Sequence, residues 1–204
     1  MSKLGVIFSS VLFLSYVILW GIKRRELLKL EGVDANVLFK ATKPIQKYFS
    51  SLERIMTALI VVVIIAHALF RNKFVLTNYI ECMDSPLLKT IGFAVGIFGL
   101  TLCRIAQVTI GKSWRVGIDD DAKPGLVTTG IYKLIRNPTY TGLFLLCAGV
   151  WIINPTILCA FWIYTFFIML EFQVRCEEEY LIAQYGNEYL EYCKKTKRYI
   201  PFLY

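Results

Sequence analysis

The residues whose types and spacing are best suited to chemistry lie between positions 130 and 142, where a polar segment separates two long apolar runs. Arg136, Asn137, Pro138 and Tyr140 bring together a cation, an amide, a helix start and a phenol. Groups of this polarity are tolerated at membrane depth only where they are buried in protein or line a cavity. The segment is therefore a candidate binding site.

A second group of candidate residues follows the last apolar run. It starts with three consecutive glutamates, 177–179, and continues with Tyr185, Tyr189 and Tyr192. Adjacent glutamates usually form a solvated surface, and this tyrosine spacing is typical of amphipathic helices, which we expect on the cytosolic membrane face with a break at Gly186. The position of the glutamates across a predicted hairpin from the first group favours a pocket instead.

Methyl transfer from a sulfonium donor suits these two groups. The chain has none of the G-x-S-x-G, H-E-x-x-H, Walker A or G-x-G-x-x-G signatures of soluble enzymes. A sulfonium is already activated, so catalysis needs mainly orientation and desolvation. The donor requires a polar partner for its amino-acid end, aromatic rings near its cation and apolar walls. The side chains assigned to these tasks are Arg136, Glu177, Glu178, Glu179, Tyr132, Tyr140, Tyr185 and Tyr189.

The composition predicts one all-α integral membrane domain. Of the 204 residues, 56% are hydrophobic and 15% are aromatic, more than in an average soluble domain. His67 is the only histidine and the six cysteines form no C-x-x-C pair, so we expect neither a metal site nor a disulfide framework. We predict a single domain over 1–204, with three spans in 1–110 and a cofactor-binding loop, a helical hairpin and a C-terminal segment in 111–204.

Five apolar runs are long enough, or nearly so, to cross a membrane as helices. They occupy 4–22, 55–70, 87–110, 138–153 and 155–172. Only Asn154 separates the last two, and both begin with proline, which suits a first helical turn, so we predict a tight hairpin. The alternative is a four-span protein with a re-entrant hairpin. Gly92, Gly96 and Gly99 predict the close approach of another helix to the third span.

The distribution of basic residues predicts the orientation of the chain. Lysines and arginines are concentrated after the first and third spans and in the tail, whereas residues 71–86 contain only Arg71 and Lys73. Since cytoplasmic connections are enriched in basic residues, we predict that these three segments are cytoplasmic and that the N-terminus is outside. This bias and contact with anionic membrane lipids explain the net charge of +8, so no nucleic-acid partner is expected.

Four motifs occur in order in the C-terminal half of the chain. They are Leu126-Val127-x-x-Gly130-Ile131-Tyr132, Arg136-Asn137-Pro138-x-Tyr140-x-Gly142, Glu177-Glu178-x-x-Leu181 and Tyr185-Gly186-x-x-Tyr189-x-x-Tyr192. Together they resemble the isoprenylcysteine carboxyl methyltransferase family, which is related to the membrane phospholipid N-methyltransferases. The first two spans contain no diagnostic motif.

The resemblance implies an S-adenosylmethionine pocket on the cytosolic side, closed by the C-terminal segment and open sideways to lipid. The cofactor contacts implied by position are Pro124, Gly125, Leu126, Val127, Tyr132, Asn137, Pro138, Thr139, Tyr140, Glu177 and Glu178. The implied reaction methylates a lipophilic acceptor. For a prenylcysteine-like carboxylate, Arg136 or Arg175 is the catalytic candidate that would hold the acceptor in line with the methyl group.

Two positions depart from the family pattern. Asn137 stands where the family often has histidine, and its amide can hydrogen-bond a carboxylate but does not titrate near neutral pH. Gln173 stands where members that methylate a carboxylate often have arginine, although Arg175 is close by. The acceptor group therefore stays open between a carboxylate, an amine and a thiol.

Three other functions stay open. One is a phospholipid N-methyltransferase. Another is an NADPH-dependent sterol-type reductase, because such enzymes resemble this hairpin, but the phosphates of NADPH call for more basic side chains than residues 177–179 offer. A non-enzymatic membrane scaffold explains the spans and basic loops but gives the ordered polar motifs no purpose. No feature of the sequence indicates an oligomeric state.

Overall fold

The computed structural model describes residues 3–32, 34, 44–70, 73–115, 117 and 125–203. The α-helices in these ranges are α1 (Lys3–Glu31), α2 (Pro44–Phe70), α3 (Pro86–Ile110), α4 (Pro138–Ile153), α5 (Ile157–Tyr185) and α6 (Asn187–Lys195). Short 3-10 helices in the connections are Val75–Thr77, Glu81–Met83, Gly111–Ser113 and Gly130–Lys133. The predicted all-α membrane fold is confirmed.

Four of the helices, α1, α2, α3 and α5, are long and apolar enough to cross a membrane. The fourth apolar helix, α4, has only 16 residues, fewer than the roughly 20 that a span needs. All five predicted apolar helices are therefore present, but the number of five full spans is approximate.

Glycines allow α3 and α4 to pack with their backbones in contact. A Cβ atom added at Gly99 would lie 2.5 Å from the carbonyl oxygen of Gly142, and one added at Gly92 would lie 2.7 Å from that of Gly149. No larger side chain fits such an approach, which confirms the close packing predicted for the third span. This pairing makes the helices antiparallel, so the start of α4 lies beside the end of α3.

The connection between α4 and α5 is tight, as predicted, but its boundary differs. α4 begins with Pro138 at its first position. The prediction that the next helix begins at Pro155 was wrong by two residues, because Thr156 is the N-cap and its hydroxyl accepts a hydrogen bond from the Cys159 N–H at 3.2 Å.

The fifth helix continues far beyond the end of its predicted span at residue 172. α5 has 29 residues and ends at Gly186, where φ is +52°. Glycine adopts this left-handed conformation without a Cβ penalty, so the predicted break is confirmed. This continuation places Gln173 and the glutamates 177–179 on the same helix as the apolar run. The next helix, α6, turns Tyr189 and Tyr192 inward, where both are buried.

A polar cluster lies at the opposite end of the bundle, around the α4–α5 turn. His67 of α2 bonds the Val63 carbonyl at 2.8 Å and the Thr156 hydroxyl at 2.7 Å. The Asn154 amide accepts a hydrogen bond from the Tyr79 hydroxyl at 2.9 Å and donates one to the Ser9 hydroxyl at 2.7 Å. We call these residues the outer cluster. His67 thus packs helices together, as expected of a lone histidine.

Candidate functional site

A cavity of about 240 Å³, here called the polar cavity, lies where the start of α4 meets the ends of α3 and α5. The predicted site residues that line it are Gly125, Leu126, Val127, Tyr132, Arg136, Asn137, Pro138, Thr139, Tyr140 and Glu177. Tyr185, Tyr189 and Tyr192 also contribute. The motifs converge because the α3–α4 packing and the α4–α5 hairpin bring distant segments to one end of the bundle.

Two predicted site residues, Arg175 and Glu178, do not line the cavity. A third, Pro124, lies outside the described residues. Arg175 is not among the lining residues, and its half-exposed guanidinium donates to Glu171 Oε1 at 3.0 Å. Glu178 is buried behind the cavity wall, with 8% of its surface exposed. The structure therefore brings neither Arg175 nor Glu178 to the cavity surface.

Glu177 is the acidic residue of the second motif group that reaches the polar cavity. The Tyr140 hydroxyl donates to Glu177 Oε1 at 2.7 Å, and Gln173 Nε2 donates to the same oxygen at 3.1 Å. Because both bonds use Oε1, the Oε2 atom keeps its capacity to accept a hydrogen bond from a ligand. Gln173, which departs from the family pattern, thus orients this carboxylate.

Glu178 is the centre of a buried ion-pair cluster. Its Oε1 atom accepts from Arg136 Nε and from Asn137 Nδ2, both at 3.1 Å, and its Oε2 atom accepts from Arg198 at 2.7 Å. We call these four residues the Glu178 cluster. A buried carboxylate requires such pairing, because an uncompensated charge is costly away from water.

The C-terminal residues 196–199, here called the strap, lie along the segment before α4. The backbone N–H groups of Arg136 and Asn137 donate to the carbonyls of Lys197 and Arg198 at 2.8 and 3.1 Å. Arg136 also donates from its guanidinium to the Thr196 carbonyl at 2.7 Å. Arg136 is therefore largely engaged in holding the strap, which makes it a positioning residue in this arrangement.

Neutral phenols form another part of the cavity wall. The Tyr192 hydroxyl donates to the Tyr132 carbonyl at 2.6 Å. Burial raises the pKa of Tyr192 to about 12 and also raises the pKa of Tyr132. Both groups therefore stay protonated at neutral pH. Their uncharged rings, with that of Tyr140, suit the neighbourhood of a cation.

The first two helices contribute lining residues that lie outside the sequence motifs. Tyr16 and Trp20 come from α1, and Glu53 and Thr57 come from α2. Trp114, which follows α3, adds a further aromatic ring. The available signal was the presence of polar residues such as Glu53 beside an apolar run, since ionisable residues at membrane depth are candidates for function.

A second and larger cavity, here called the apolar cavity, lies between α1, α2, α4 and α5 and measures about 480 Å³. Most of its wall consists of aliphatic and aromatic side chains. It shares four lining residues with the polar cavity, namely Tyr16, Thr57, Leu143 and Phe166. A polar site and an apolar chamber therefore meet at one junction.

Comparison with known sequences confirms the predicted family relationship. A family model described as phospholipid methyltransferase matches residues 88–188. Protein-S-isoprenylcysteine O-methyltransferase of Xenopus laevis is 32% identical over 133 residues, which are 62% of this chain and 45% of that protein. The Saccharomyces cerevisiae protein of the same name is 33% identical over 125 residues, 59% of this chain and 52% of the relative. The chain thus spans about half the length of these curated relatives, whose names agree with the predicted enzyme class.

A solved structure shares the fold. The eukaryotic intramembrane Ras methyltransferase ICMT (isoprenylcysteine carboxyl methyltransferase) superposes with a TM-score of 0.68 at 19% identity. The alignment covers 100% of this chain and 69% of that chain. The similarity therefore includes α1 and α2, for which the sequence offered no motif.

Proposed function

We propose that this protein is an integral-membrane methyltransferase that uses S-adenosylmethionine to methylate a lipophilic acceptor. The observation that carries the proposal is the junction at Tyr16, Thr57, Leu143 and Phe166, where the polar cavity adjoins the apolar cavity. A donor with a charged and an aromatic part requires the first environment, and a hydrocarbon tail requires the second.

The residues of the polar cavity fit such a donor. Glu177 offers a carboxylate oxygen for its ammonium group, and Tyr132 and Tyr140 offer rings for its sulfonium. Leu126, Val127 and other apolar side chains offer walls for its adenine. When bound, this cofactor supplies an already activated methyl group, so no base or metal is needed to activate the donor.

The protein's own contribution is positioning. Tyr140 and Gln173 fix the Glu177 carboxylate, and the Glu178 cluster fixes the strap over the segment that starts α4. Holding two reactants in line converts a bimolecular step into an effectively unimolecular one. The rigid helices α4 and α5 hold these side chains in place before any ligand arrives.

The acceptor proposed first is a prenylcysteine-like carboxylate, because the relatives are named isoprenylcysteine O-methyltransferases. Its tail would lie in the apolar cavity and its head at the junction. A phospholipid amine is the second candidate, and it is favoured by the family model described as phospholipid methyltransferase. Arg136 lines the cavity but also holds the strap, so we assign it a positioning role toward either acceptor.

Calorimetry on the purified protein tests the donor. We expect S-adenosylhomocysteine to bind and NADPH not to bind, because the aromatic and acidic lining of the polar cavity suits a sulfonium donor better than a set of phosphates. Glu179→Gln is a suitable control for the Glu177→Gln variant, since the Glu179 side chain is exposed and lies outside the cavity lining. Binding of NADPH alone would overturn the proposal in favour of a reductase.

Cysteine labelling tests the proposed orientation, with the polar cavity facing the cytoplasm and the N-terminus outside. In a cysteine-depleted variant, a membrane-impermeant reagent added outside should label Ser2→Cys but neither Asp120→Cys nor Leu203→Cys. Labelling at position 120 from the outside would contradict the orientation.

A further inference from the structure

The outer cluster lies at the far end of the apolar cavity. His67 and Asn154 are lining residues of the cavity and are 3% and 6% exposed. Behind them, Thr156 is completely buried and accepts hydrogen bonds from the Cys159 N–H and, in one tautomer, from His67. Within the cluster, His67 bonds Thr156, and Asn154 bonds Tyr79 and Ser9. The polar side chains are therefore satisfied within the protein and form a floor instead of an open recognition site.

The distance from the junction to this floor is similar along three helices. The cavity lining extends over residues 6–16 of α1, 56–67 of α2 and 143–154 of α4. At 1.5 Å per helical residue, each stretch measures about 15–17 Å. The chamber is therefore about half as deep as a hydrocarbon core of roughly 30 Å.

We infer that the outer cluster is the specificity device that limits the tail length of the methyl acceptor, with Val150 in the wall next to this floor. The inference rests on the proposed function, because it takes the occupant to be the acceptor's hydrocarbon tail. A tail longer than the chamber would have to separate the hydrogen bonds of His67 and Asn154 where no water replaces them. Tails that fit gain burial with each added carbon, and longer ones do not.

Binding of a series of ligands with different tail lengths tests this inference. N-acetylcysteine thioethers from dimethylallyl to geranylgeranyl are measured by thermal shift of the purified protein, with and without S-adenosylhomocysteine. The parent protein should show increasing affinity up to one tail length and no further gain beyond it. Val150→Trp fills the floor end of the chamber and should lower the ratio of long-tail to short-tail affinity by about tenfold, within the range of typical overpacking penalties.

Val62→Trp is the matched control, because Val62 is 58% exposed on the face of α2 that points away from the chamber, and it does not line the chamber. It should leave the length preference unchanged. Equal loss for every tail length in Val150→Trp, or unlimited gain with length in the parent, would overturn the inference. His67→Ala is the second variant: it opens the floor and should move the optimum to a longer tail. If tail preference behaves as expected but S-adenosylhomocysteine does not bind, the proposed donor is wrong and the length limit stands.

Discussion

The two ends of the helical bundle both contain buried polar residues, yet they differ in what those residues do. At the outer end, His67 bonds Thr156, and Asn154 bonds Tyr79 and Ser9, at the far end of a chamber. At the other end, Tyr140 and Glu177 bond each other and still face a cavity. Polar side chains at membrane depth are therefore a sign of either site or scaffold, and only their capacity for a further partner separates the two.

The polar-cavity end itself contains both kinds of residue side by side. Glu177 lines the cavity, whereas Glu178, one position later on α5, pairs with Arg136 and Arg198 behind it. A rotation of about 100° per helical residue is enough to send adjacent side chains to different surroundings. Substitutions at these two positions should therefore differ in kind, which tests the comparison directly.

The largest effect is expected from Glu178→Ala. Removal of this carboxylate leaves Arg136 and Arg198 without their shared buried partner, so the free energy of unfolding should fall by about 3–5 kcal/mol. Thermal unfolding without ligand measures it, with the exposed Glu179→Ala as the matched control. An unfolding temperature equal to that of the parent would mean that the Glu178 cluster does not hold the strap.

Glu177→Gln should act on binding instead of on stability. Loss of a hydrogen bond to a charged group costs about 1.5–3 kcal/mol, so the affinity for S-adenosylhomocysteine should fall roughly ten- to a hundredfold. The unfolding temperature should change little, because Gln173 and Tyr140 can still bond the amide. Titration calorimetry provides the measurement. Parental affinity in this variant would remove Glu177 from the proposed donor site.

At the outer end, Thr156→Val should have the opposite pattern. The variant loses the N-cap of α5 and the partner of His67, so we expect a loss of stability of about 1–2 kcal/mol. Affinity for S-adenosylhomocysteine should equal that of the parent, because the cluster lies at the far end of the bundle. Weakened donor binding in a folded Thr156→Val protein would contradict the separation of the two ends.

The smallest effect is expected from Arg175→Ala. Its ion pair with Glu171 is exposed on one helix, and such pairs contribute about 0.3–0.5 kcal/mol. Donor affinity should not change, since Arg175 does not line the polar cavity. Once an acceptor is found, a large fall in methyl-transfer rate in this variant would restore the catalytic role predicted for Arg175 from the sequence.

Several features of the fold were predictable because they depend on local pattern. The apolar runs predicted the membrane helices, since length and hydropathy are properties of single segments. Gly186 predicted a helix break and Pro138 a helix start, because each has a backbone preference that acts locally. The apolar run that ends at 172 covers only part of α5, because the helix continues through the glutamates to Tyr185.

The sequence by itself determined the class of this protein, its apolar helices and the order of its motifs, because each follows from residue types at fixed spacing. Only the tertiary structure decided which of two adjacent glutamates faces the polar cavity and which is buried in an ion-pair cluster. It also decided that Tyr16 and Glu53 join the site and that residues 196–199 fold back onto Arg136. Those contacts connect residues far apart in the chain, and no local pattern specifies which distant partner completes a buried charge.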